Sequence, residues 1–164
     1  MKSGVVAKIV SAACVVVLAL GILTSCTGGP VTGANEEQQA NRSYMSQVNQ
    51  TMEELDANLD DFVEAVSRGD VVNMRLQAEN AYKTLDKLEN IETPEDMADI
   101  QENYSTGAAK LRKALDAYIT LYTEASSDDF DWSKYDTRIA EVQELYDEGV
   151  SALEAGDEAA ANKA

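Results

Sequence analysis

Between Asn35 and the end of the chain no stretch alternates apolar and polar residues as a half-buried strand must, while apolar side chains recur every three or four residues. This period confines the region to amphipathic helices. The spacing predicts a first helix over Glu36–Ser67, with Tyr44, Val48, Met52, Leu55, Leu59, Phe62 and Val66 in one continuous stripe. Arg68 and Gly69 supply a stop, and Asp70 caps a second helix whose seam is Val71, Met74, Ala78, Ala81, Leu85 and Leu88. That helix ends near Ile91-Glu92, where Thr93 as cap and Pro94 at the first helical position start a third. The third buries Met97, Ile100, Tyr104, Ala108, Leu111, Leu115, Tyr118 and Tyr122, and Gly107 inside it predicts a close helix contact. The polar run Ser126–Ser133 is the longest loop. A fourth helix is expected over Trp132–Ala155, turning Tyr135, Ile139, Val142, Leu145 or Tyr146, Val150 and Leu153 inward and stopping at Gly156. The remainder, 157–164, has only alanine as an apolar anchor and is expected to fray.

Short connections force consecutive helices antiparallel, so the fold class is all-α and the expected architecture is an up-down-up-down four-helix bundle over residues 36–156. A three-helix bundle with the first or fourth helix partly detached is the alternative. No repeat of solenoid length is present.

The first 25 residues differ in kind. Lys2 and Lys8 precede Ile9–Leu23, a stretch without a charged residue that spans roughly 22 Å as a helix, short of the ~30 Å hydrocarbon slab. This is the core of a signal peptide, with a permanent transmembrane helix as the competing reading. It ends in Leu23-Thr24-Ser25-Cys26, which resembles the lipobox of bacterial lipoproteins: a branched apolar residue, two small residues, then cysteine. Thr24 stands where alanine or serine is usual in that family. The resemblance implies cleavage after Ser25, diacylglyceryl transfer to the Cys26 sulfur and further acylation of the new amino group, palmitate being a typical chain. The protein would then be held to the lipid bilayer through acylated Cys26, on the cell membrane and facing outside the cytoplasm. Cys14 lacks the large apolar residue before it and would leave with the signal peptide. One remaining cysteine allows no internal disulfide, so the exported domain rests on packing. Residues 26–35, with three glycines and one proline, read as a lipidated cysteine and its flexible tether.

Thirty acidic against 13 basic side chains give a net charge of −17, which opposes nucleic-acid binding. Residues 36–67 carry −7, 68–113 carry −2 and 114–164 carry −10, so an up-down bundle that places the first and fourth helices side by side has one strongly acidic flank. There is no histidine, no Ser-x-x-Lys and no glycine-flanked serine, so no nucleophile or general base can be named and the expectation is a protein that is not an enzyme and needs no cofactor. Asp128, Asp129 and Asp131 could offer oxygen to calcium, but Lys134 and Ala140 stand where a twelve-residue calcium loop needs glycine and glutamate, and capping and turn formation suit these aspartates better. Tyr118, Tyr122, Trp132 and Tyr135 could line a shallow aromatic pocket for a small molecule or peptide, or simply fill the core with hydroxyls at its rim. The functional expectation is a non-enzymatic binding or scaffolding module whose partner is a cell-envelope protein. The alternative is an extracytoplasmic small-ligand binding or sensory domain.

Overall fold

The computed structural model describes residues 36–163. Four helices, α1 (Glu36–Ser67), α2 (Val71–Glu89), α3 (Ala98–Ala125) and α4 (Tyr135–Lys163), run up-down-up-down as a four-helix bundle, and no strand occurs among the described residues. Single turns of 3-10 helix, Glu95–Met97 and Trp132–Lys134, lead into α3 and α4.

The α1–α2 turn is built as its residues dictate. Gly69 takes φ 66°, its N–H reaches the Val66 carbonyl, and the Asp70 N–H reaches the Ala65 carbonyl, the paired bonds of a Schellman ending. Asp70 then accepts from the Asn73 N–H at 3.1 Å and opens α2, as its side chain predicts. The start of α3 departs from expectation. The Thr93 hydroxyl donates back to the Ile91 carbonyl at 2.9 Å instead of capping, and Pro94 precedes a 3-10 turn that closes Met97 onto the core.

Every predicted inward residue of α1 and α3 is buried, whereas Val71 at the tip of α2 is exposed. Phe62 meets Tyr118 edge-on across the bundle, with ring centroids 5.7 Å apart. Between α1 and α2, Asn58 donates to the buried Thr84 hydroxyl at 2.9 Å, which in turn donates to the Asn80 carbonyl.

The fourth helix corrects two expectations. It does not stop at Gly156 and residues 157–163 do not fray: α4 continues to Lys163, Ala160 is buried, Asp157 accepts from the Tyr104 hydroxyl at 2.6 Å, and Lys163 pairs with Asp99. Gly156 is not a cap but a contact, since a Cβ there would stand 2.8 Å from the Tyr104 ring. Nor is the predicted apolar stripe of α4 fully inward. Ile139, Val142, Tyr146 and Val150 are only partly buried, while Gly149, Leu153, Gly156 and Ala160 face α3 from inside the core. A Cβ on Gly107 would meet Leu153 at 2.6 Å and the Gly149 carbonyl at 2.9 Å, and one on Gly149 would meet Leu111 at 2.8 Å. The close approach expected at Gly107 is therefore one half of a reciprocal glycine contact, with α3 and α4 the most extensively packed pair.

Candidate functional site

The lipobox and Cys26 lie outside the described residues. Within them the four aromatic candidates converge at the end of the bundle remote from the start of α1. Tyr118, Tyr122 and Tyr135 are buried and Trp132 is 37% exposed. Trp132 packs on Tyr135 with centroids 5.6 Å apart and meets Phe130 edge-on at 5.0 Å. The Tyr122 hydroxyl donates to the Gly69 carbonyl at 3.4 Å, tying α3 to the α1–α2 turn. The Tyr118 and Tyr135 hydroxyls are buried without a hydrogen-bond partner. Burial pushes both phenols up, Tyr118 further by the neighbouring Tyr135 and Tyr122 oxygens. These two buried donors with spare capacity lie in an apolar surround beside the partly exposed Trp132.

The aspartates of the α3–α4 loop work mainly on the backbone. Asp131 accepts from the N–H and hydroxyl of Ser133 and caps the 3-10 turn, and these bonds hold its carboxyl below the usual range, with Lys134 adding to the effect. Asp128 and Asp129 are exposed. No group of three or more metal-ligating side chains is assembled among the described residues.

The charge expectation takes a definite shape. α1 carries −7 and α4 −6, against 0 on α2 and −1 on α3. Lys87 pairs with Glu54 between α1 and α2, Arg112 with Asp86 between α2 and α3, and Lys110 with Glu148 and Arg138 with Glu124 between α3 and α4. Between α1 and α4 there is no ion pair among the described residues, and their backbones scarcely approach. Tyr146 stands in that seam with its hydroxyl buried and unpaired, pushed up by burial and then by Asp147, Asp56 and Asp60. Asp56 is itself raised, by partial desolvation and then by Asp60.

Reasoning from the sequence missed a concavity at the opposite end, about 590 Å³ and open to solvent, lined by Asn41, Glu95, Asp96, Ala98, Asp99 and Lys163. Lys163 donates there to the Asp96 carbonyl and to Asp99, whose carboxyl it lowers, while a hydrogen bond with Asp96 raises Glu37. Nothing in the linear pattern signals it, because Lys163 falls in the segment expected to fray.

The described chain is thus an antiparallel four-helix bundle with an aromatic far end and an acidic, unstitched α1–α4 seam. No protein family, no curated protein and no solved structure matches it. None of its described helices is long and apolar enough to cross a membrane.

Proposed function

We propose that this protein is a bacterial lipoprotein, anchored to the cell membrane through acylated Cys26 and facing outside the cytoplasm, whose bundle is a non-enzymatic binding or scaffolding module for a cell-envelope protein. The observation that carries this reading is Leu23-Thr24-Ser25-Cys26, placed after a cationic start and a charge-free apolar stretch and ten residues before α1 begins at Glu36. Two or three acyl chains, at ~0.8 kcal/mol per buried methylene, give attachment far beyond the marginal hold of one myristoyl group. The nine residues 27–35 reach at most ~30 Å, so the bundle stays close to the bilayer. Support for a non-catalytic module comes from how the perturbed groups are used: the raised tyrosines belong to the core and its seams, and the lowered aspartates Asp70, Asp99 and Asp131 cap helices or pair with Lys163.

The intact mass of protein purified from its native host tests the anchor. The expected result is a chain beginning at Cys26 and heavier by diacylglyceryl and acyl groups; a retained leader or a bare thiol overturns it. A second reading, a small-ligand binding or sensory domain, is favoured by the unpaired hydroxyls of Tyr118 and Tyr135. Trp132 lies against Tyr135, so a ligand seated there changes the emission of this sole tryptophan. Unchanged fluorescence with a phenolic or other small polar ligand at millimolar concentration removes that reading.

A further inference from the structure

We infer that the open seam between α1 and α4 is the docking surface of the module, and that its occupant is a cationic amphipathic helix of a partner protein. The inference rests on the binding-module reading and deepens it by naming the partner's chemistry.

Three observations converge. The first is apolar surface left half-covered on one face. Ile139, Tyr146 and Val150 fall at spacings of seven and four on α4, on the side turned to Asp56 and Asp60, and all three are only partly buried. On α1, Val63 stands seven residues from Asp56, two turns along the same face, and is 39% exposed. The second is a one-signed rim. α1 and α4 together carry 16 acids and three bases, and two of those bases, Arg138 and Lys163, are turned away to pair with Glu124 and Asp99 of α3. The third base, Arg42, lies near the start of α1. The third observation is that the seam is left incompletely satisfied by the bundle itself: the Tyr146 hydroxyl is buried there and bonded to nothing.

The shape and sign choose the occupant. A groove between two antiparallel helices accepts the ridge of a third helix, and Ile139 to Val150 spans roughly 17 Å, about three turns. A second copy would set one acidic rim against another, and an anionic bilayer or a nucleic acid would meet the same repulsion. A helix with apolar residues at i, i+3 and i+4 and lysines elsewhere covers the half-buried residues and neutralises the rim.

The test uses the intact protein in nanodiscs of zwitterionic lipid, with empty discs as blank, and a peptide of roughly four turns built of leucine and lysine in that pattern, carrying a photo-crosslinking side chain. Saturable binding with crosslinks mapping to α1 and α4 is expected. Asp60→Lys should weaken it about tenfold or more, whereas Glu79→Lys on the outer part of α2 makes the same change in net charge and should leave it within about threefold. Equal losses in the two variants, equal affinity for the leucine-glutamate counterpart, crosslinks elsewhere, or no saturable binding at millimolar peptide each overturn the inference. Lipidation is read separately by mass on the same sample, so a failed seam and a failed anchor are told apart.

Discussion

The two seams of α4 are opposites. Toward α3 the helix presents Gly149 and Gly156, receives Gly107 in return, and is stitched by Lys110–Glu148, Arg138–Glu124 and Lys163–Asp99. Toward α1 it presents half-covered Ile139, Tyr146 and Val150 across from Asp56 and Asp60, with no ion pair among the described residues. Small residues let backbones approach until dispersion contacts and opposite charges both act over short distances. Large side chains and like charges hold the other pair of helices apart. One face of α4 thus fixes the fold, and the other remains available.

This contrast can be broken most sharply by raising the pH. Burial lifts Tyr44 from 10.0 to about 12, and Tyr82, Tyr104, Tyr118 and Tyr146 are lifted as well. The folded chain therefore keeps phenolic protons that the unfolded chain releases, so their contribution is full below about 10 and is lost as pH rises from there toward the folded values. Urea midpoints measured at neutral pH and near pH 11 should show a large loss, ending in alkaline unfolding, and a flat profile would contradict the buried placement of these rings.

A smaller effect should come from bulk in the tight seam. Gly107→Leu has no room beside Leu153 and the Gly149 carbonyl and should cost about 3 kcal/mol in urea denaturation, whereas Val63→Leu at the open seam should stay within about 0.5 kcal/mol. Equal costs would show that the two seams pack alike.

Tyr104→Phe removes the hydroxyl that holds Asp157 and should cost about 1 to 2 kcal/mol, with faster amide exchange over 157–163 as the local signature.

The smallest change should be a gain. Asp56 has a folded value above its unfolded one, so its ionisation detracts from stability once the pH has risen past the unfolded value of 3.8. Asp56 is half-buried and its charge is still partly screened by solvent, so Asp56→Asn should stabilise by only a few tenths of a kcal/mol at neutral pH. Adding ~1 M salt, which shortens the Debye length to about 3 Å, should remove the smaller part of that gain that comes from Asp60 and leave the larger part that comes from desolvation.

Much of this was legible in the order of residues. The stripes of α1 and α3, the Gly69 ending and the Asp70 cap follow from 3.6-residue geometry and local hydrogen-bonding chemistry, which act within one or two turns of chain. The closeness at Gly107 was legible too, because a glycine inside a strong helix needs a reason. The same rule misled at Gly156: a glycine near a helix end reads as a stop, and only the Tyr104 ring lying against it shows that it is a contact. Thr93 misled for a related reason, since its hydroxyl had a nearer acceptor in the Ile91 carbonyl. Of the candidate site, the convergence of Tyr118, Tyr122, Trp132 and Tyr135 could be anticipated from the up-down order. That two of their hydroxyls lack partners could not, because satisfaction of a buried group depends on atoms supplied by other helices.

The sequence by itself determined that this domain is helical, how many helices it has, where three of them turn, and that the first and last carry most of the negative charge, because periodicity, capping and charge are local properties of the chain. Only the tertiary structure decided which apolar residues of α4 are covered, that its last turn is pinned by Asp157 and Lys163, and that the α1–α4 seam is left unstitched. Those outcomes depend on how closely two backbones can come, a distance set jointly by the side chains of both helices and written in neither alone.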